Sequence, residues 1–280
     1  MGYEGIGGCR ALSEAAQGVF MRIATWNING VRARVETACA WLEKSRPDIV
    51  CLQEIKCVDE AFPPEPFERL GYNMALHGQK GFNGVAILSL LPLDEIRNGL
   101  PGDDGDPQAR YIEAVVSVPA GSLRVASIYL PNGNPAGSDK YAYKLAWMER
   151  LRRHAAGLLK LEEATLLCGD YNVIPEPRDC HDPAVWADDA LFLPQSRAAF
   201  RSIVNLGWTD ALRAVDDRPG RYTFWDYQAG ARQRNWGIRI DHVLASPQAA
   251  DRIAGVSIED EVRDWEKPSD HVPVVVEVRV

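Results

Sequence analysis

Acids, carboxamides and an imidazole stand where short apolar runs end. The run at 22–26 leads into Asn27 and Asn29, and that at 48–52 into Gln53 and Glu54. The run at 123–130 carries Tyr129 just before a Pro-Asn-Gly turn, and that at 164–168 leads into Asp170 and Asn172. Asp241 lies inside the run at 238–245, and Ser269, Asp270 and His271 precede the run at 272–279. Any one of these has a structural explanation: a turn, a cap, a core tyrosine with a wet hydroxyl. Together they place polar groups at six separate ends, where burial without partners costs free energy. Strand ends are also where open α/β sheets bind ligands. One shared site explains the set better than six coincidences.

The inventory defines the chemistry. Glu54, Asp170 and Asp270 with carboxamides form an oxygen-rich ligand set, which suits Mg²⁺ or Mn²⁺ rather than zinc. Asp241 inside a buried run needs a partner, and a histidine so paired has a fixed tautomer and raised basicity. Metal, imidazole and amide donors together suit charge stabilisation at phosphorus. The chain has no GxSxG elbow, no phosphate loop, no GxGxxG and no HExxH. Cys168 has no adjacent histidine, so a thiol nucleophile is not expected.

The elements that must position these groups read as α/β. Further strands are expected at 84–90 and 111–118, and helices at 33–45, 139–161 and 196–206. The first helix must stop before Pro47, and Gly207 ends the third. In the second, Tyr143, Trp147, Leu151, Ala155 and Leu158 recur at helical spacing. Some strands follow one another directly, which predicts mixed sheets rather than a strict βαβ repeat.

Composition bounds the rest. The 280 residues are 46% hydrophobic and 25% charged, enough for one large core. Residues 1–20 lack the basic and apolar pattern of a signal peptide and are expected to be a poorly ordered extension before a single domain at 21–280. Cys9, Cys39, Cys51, Cys57, Cys168 and Cys180 form no CxxC pair and fit free thiols in the cytoplasm. No run is long and apolar enough for a membrane helix. A net charge of −8 argues against a nonspecific nucleic-acid binder. It leaves room for local contact through Arg32 with Arg34, or through Arg232, Arg234 and Arg239.

WNING (26–30), LQEIK (52–56), GDYN (169–172), RIDHVLAS (239–246) and EKPSDH (266–271) resemble the bacterial exonuclease III / AP endonuclease family of the endonuclease–exonuclease–phosphatase fold. HGQKGFNGVAIL (77–88), PGDD (101–104) and YTFWDY (222–227) agree in order and spacing. The resemblance runs from about Met21 to the end. It implies a four-layer α/β sandwich of two facing mixed β-sheets flanked by helices. It implies a Mg²⁺-dependent monomer that cuts duplex DNA 5′ to abasic sites and removes nucleotides or blocking groups from 3′ ends. Carried over, Glu54, Asn27 and Asp270 hold the metal, with Asp170, Asn172 and His271 beside it. Asp170 orients or deprotonates the attacking water, and Asn172 stabilises the transition state. Tyr129 and His271 contact the scissile phosphate, and Asp241 holds His271. Asn29 belongs with the substrate contacts. Phe224, Trp225, Ile238 and Ile240 match an apolar pocket that accepts a baseless sugar. The loops at 131–139 and 174–195 resemble the family least. The competing readings are a phosphoesterase of the same fold acting on a non-DNA ester, and an inactive DNA-binding module. YTFWDY and RIDHVLAS favour DNA over the first, and the intact polar set argues against the second.

Overall fold

In the computed structural model the described residues are 20–119 and 121–280, so the extension expected at 1–20 lies outside them except for Phe20. Twelve strands follow in chain order: β1 (Phe20–Asn27), β2 (Ile49–Gln53), β3 (Asn73–His77), β4 (Val85–Ser89), β5 (Asp94–Asn98), β6 (Tyr111–Val118), β7 (Gly121–Tyr129), β8 (Ala164–Asp170), β9 (Thr209–Asp210), β10 (Asp241–Ala245), β11 (Ile253–Ile258) and β12 (Val274–Arg279). The helices are α1 (Val35–Ser45), α2 (Pro64–Arg69), α3 (Asp139–Leu159), α4 (Pro194–Val204), α5 (Ala211–Val215) and α6 (Pro247–Ala250).

The strands form two six-stranded mixed sheets, ordered β11-β12-β1-β2-β4-β3 and β5-β6-β7-β8-β10-β9. Alternate residues of the central strands face opposite ways. Ile23, Ile49, Cys51, Val85 and Ile87 of the first sheet meet Ile112, Val125, Leu166, Cys168 and Val243 of the second in one core cluster. The other face of the first sheet packs Trp26, Val50 and Leu52 on Trp41 of α1 and Phe67 of α2. The other face of the second packs Ile128, Leu167 and Leu244 on Trp147 and Leu151 of α3 and Phe200 of α4. This is the four-layer sandwich. It explains why the runs are apolar on both faces.

Helix α1 ends because Arg46 turns left-handed (φ 48°) before Pro47. Strands β3, β5, β9 and β11 carry no strong apolar pattern and were not expected. The five residues of β5 are exposed at a sheet edge, where pairing rather than burial makes the strand. The run expected at 238–245 becomes a strand only from Asp241, because Ile238 pairs outward with Phe224 and Cys180 in isolated bridges. Asp241 therefore opens β10 rather than lying inside it. Among the described residues no helix is long and apolar enough to cross a membrane, and the five described cysteines are free.

Candidate active site

Strand register assembles the site from two rows. In the second sheet, Tyr129 of β7 is level with Asp170 of β8, and Asp170 is level with Asp241 of β10. Strands β7 and β8 are parallel and β10 is antiparallel to β8, so two strand ends and one strand start share one edge. In the first sheet, Asn27 is level with Gln53, which puts Glu54 next along the same edge. Strand β12 runs antiparallel beside β1, so its approach segment brings Asp270 and His271 to the end of β1. The indole N–H of Trp26 donates to the His271 carbonyl at 3.1 Å and pins that segment. Ser269 reinforces it, donating to the Asn27 carbonyl at 2.7 Å and accepting from the His271 amide at 3.2 Å.

His271 joins the rows. Its Nδ1 lies 2.9 and 3.1 Å from the two carboxylate oxygens of Asp241, and its Nε2 lies 3.7 Å from Asp170. Burial alone pushes this imidazole toward neutrality, but Asp241 and then Asp170 reverse that and hold its pKa well above the ordinary value. Asp170 moves up as well, through burial first and then the charge of Asp241, with His271 opposing. A carboxylate so raised is a better proton acceptor near neutral pH than a solvated one.

Asn27 is fully buried between the carboxylates. Its Nδ2 donates to Glu54 at 2.9 Å and to Asp170 at 3.0 Å, while its Oδ1 accepts from the Asn29 amide. Burial works against charge on Glu54, yet Lys56 and Asn27 overcome it and lower its pKa. The Lys56 ammonium sits 2.7 Å from Glu54 Oε2. Glu54, Asp170 and His271 each offer a ligand atom within 4.8 Å of one another. The two carboxylates fit a hard divalent cation, and the His271 ring, held protonated by Asp241, stands beside them as a donor. Asp270 lies to one side, its Oδ1 held by Asn29 Nδ2 at 2.9 Å. Asn29 has the left-handed backbone (φ 48°) that its asparagine tolerates.

Tyr129 lies against Glu54 and Asp170. Burial and then these charges keep its hydroxyl firmly protonated, so it is a donor. The Arg110 guanidinium covers the ring at 4.8 Å. Asn172 is fixed at both ends: Oδ1 accepts from Asn132 at 3.1 Å and Nδ2 donates to the Leu130 carbonyl at 2.9 Å. Its oxygen is thus committed to Asn132 rather than to the three-residue cluster.

Phe224 packs its ring 4.9 Å from that of His271. Ile238 and Ile240 are buried with Ile174, Cys180, Leu191 and Phe192, and Phe224 closes this cluster. Trp225 instead belongs to the core with Tyr222, Ala231 and Val272, and its indole N–H is used by Asn235 at 3.1 Å. The expected basic contacts are also redistributed. Arg239 is 1% exposed and bonds Asp179 at 2.7 Å and Asp210 at 2.8 Å. Arg232 is paired with Asp260 and Asp264. Arg34 reaches the Pro268 carbonyl at 3.2 Å and the Tyr227 hydroxyl at 2.9 Å.

Sequence reasoning missed Lys144. It is fully buried, and its ammonium donates to the carbonyls of Asn172 (2.6 Å), Asn132 (3.0 Å) and Ala190 (3.2 Å). It therefore ties together three loops around the site. The available signal was a lysine three residues before Trp147, on the buried stripe of α3. His242 was also missed. It is buried and neutral in character, accepting from Arg239 at 3.0 Å and donating to the Val173 carbonyl at 3.0 Å.

Two facing mixed sheets with an Asp-His pair and a carboxylate cluster at one edge define a phosphoesterase sandwich. The chain belongs to the Endonuclease/Exonuclease/phosphatase family, whose pattern it matches over residues 24–271. Within that family it is a DNA repair nuclease by its likenesses. It is 36% identical over 267 residues to exodeoxyribonuclease III of Haemophilus influenzae, covering 92% of this chain and 100% of that one. An AP endonuclease from Archaeoglobus fulgidus superposes with a TM-score of 0.88 at 37% identity, covering 93% of this chain and 100% of the other. A 3′ phosphatase from Neisseria bound to a product DNA hairpin gives 0.89 at 36%, covering 92% and 99%.

Proposed function

We propose that this chain hydrolyses phosphodiesters of duplex DNA with Mg²⁺, cutting 5′ to abasic sites and removing nucleotides or blocking groups from 3′ ends. The observation that carries the reading is the unbroken series Asp241–His271–Asp170–Asn27–Glu54, with separations of 2.9, 3.7, 3.0 and 2.9 Å across the two sheets. Glu54 and Asp170 would hold the cation, with Asn27, Asn172, Asp270 and His271 set around them. When bound, the cation would neutralise negative charge that grows on the phosphate.

The residues do the remainder. Asp170, raised toward neutrality by burial, orients and deprotonates a water. The water oxygen bonds to phosphorus as the P–O3′ bond breaks, and the departing oxygen takes a proton from solvent water, leaving a 3′ hydroxyl and a 5′ phosphate. His271, held charged by Asp241, and the Tyr129 hydroxyl donate to the phosphate oxygens, where negative charge grows. Asn172 donates beside them once substrate replaces its present carbonyl partner. Asn29 orders the strand end, and Phe224, Ile238 and Ile240 form an apolar wall for a sugar without its base. Trp225 supports that wall from the core. The chain acts as a monomer in this reading.

The test is a duplex with one tetrahydrofuran abasic analogue, incubated with Mg²⁺ and with EDTA. A metal-dependent nick 5′ to the lesion is expected. No nick in Mg²⁺ or Mn²⁺ refutes the abasic-site reading.

A further inference from the structure

A cavity of about 760 Å³ opens beside the site, between the loop that holds His181 and Trp186 and the segment that holds Phe224, Gln228 and Trp236. Phe224 forms part of its wall, and the same ring lies 4.9 Å from His271. The cavity and the imidazole therefore share the Phe224 ring. None of the site residues other than Phe224 lines it.

Its lining is built for a flat, aromatic, uncharged group. Trp236 is 41% exposed although large and apolar. The His181 ring stacks on it at 5.8 Å with planes 16° apart, and the Arg234 guanidinium lies 4.5 Å from it. Trp236 is thus held in a fixed plane while part of its ring stays open to the cavity. Asp182 and Asp226 also face the cavity. Their carboxylates disfavour a phosphate there and accept from exocyclic amines instead.

Resting on the function proposed above, we propose that this cavity receives the heterocyclic base of the nucleotide on the 3′ side of the scissile bond. A baseless sugar leaves it empty. A 3′-terminal nucleotide, unstacked from its duplex, places its base against Trp236. Base–aromatic stacking tolerates any sequence, because every base has a π face. One phosphate position then serves both abasic sites and normal 3′ ends, and Trp236 sets the balance between them.

The test measures kcat/KM of Trp236→Ala on three Mg²⁺-containing duplexes: a recessed 3′ end bearing a normal nucleotide, a recessed 3′ end bearing a phosphate, and an internal tetrahydrofuran site. Removal of the nucleotide is expected to fall roughly ten-fold or more, as loss of a stacking platform does. Activity on the two substrates without a base is expected to stay within two-fold, which also certifies the fold. Trp236→Phe is expected to restore nucleotide removal. An equal fall on all three, or no fall on any, overturns the proposal. In EDTA, 2-aminopurine at the 3′ end is expected to be quenched by the wild type and much less by Trp236→Ala. Equal quenching by both overturns the proposal even if the wild type cleaves nothing, an outcome that would refute the proposed function separately.

Discussion

Asp241→Asn is the sharpest perturbation of the site. Asp241 is 2% exposed, and both its oxygens lie within 3.1 Å of His271 Nδ1. The substitution keeps volume and removes one charge. Burial then lowers the His271 pKa with its strongest opponent gone, leaving Asp170 and Asp270 to hold the proton. The carboxamide can also present its NH₂ to Nδ1 and select the wrong tautomer. Loss of one preorganised donor costs about 10²–10³ in kcat, and loss of the carboxylate that orients an imidazole up to about 10⁴. At about 1.4 kcal/mol per decade, the range is roughly 3–6 kcal/mol of transition-state stabilisation. Single-turnover cleavage of an abasic duplex in saturating Mg²⁺ measures it, with circular dichroism as the control for folding. The backbone amide of Asp241 keeps its bond to Thr223 Oγ1, so the fold should persist. A folded variant cleaving within three-fold of wild type would refute the dyad.

Lys144→Met should leave three loop carbonyls without a donor, lower stability by about 1–3 kcal/mol and reduce kcat more than it changes KM. Denaturant titration and steady-state kinetics read both, and unchanged kinetics would make Lys144 purely structural. Mg²⁺ at about a hundred times its Kd should stabilise the folded chain by roughly 2.7 kcal/mol and raise Tm. Glu54→Gln should abolish that rise, and a rise that survives it would move the cation elsewhere. Burial and then Arg239 push the His242 pKa down to about 4, below its ordinary 6.5. Between these values the unfolded chain binds a proton that the folded chain does not. The contribution of His242, at most about 3 kcal/mol, is complete above pH 6.5 and is lost as pH falls toward 4. Imidazole ¹⁵N shifts at pH 5.5 should show it neutral, and a protonated ring there would contradict its placement.

Much of the site was legible because its members sit in short, local motifs. A polar residue after an apolar run is visible wherever it occurs, so Asn27, Glu54, Asp170, Asn172 and His271 could be singled out without knowing the fold. Helices α1 and α3 were legible through periodicity and, for α1, through Pro47. Residues whose role depends on distant partners were not. Arg239 reads as a surface cation until Asp179 and Asp210, at separations of 60 and 29 residues, enclose it. Trp225 reads like Phe224 until the fold turns one to the core and the other to His271. Edge strands such as β5 carry no apolar signal because one side has nothing to pack against.

By itself, the sequence determined which residue types stand at strand ends, and so pointed to hydrolysis of phosphate esters. Its motif order determined the family. Tertiary structure alone decided that Tyr129, Asp170 and Asp241 share one row, that His271 crosses from the facing sheet to meet them, and that Lys144 is buried beneath the loops. Strand register and sheet-on-sheet packing set these relations, and both depend on contacts between residues far apart in the chain.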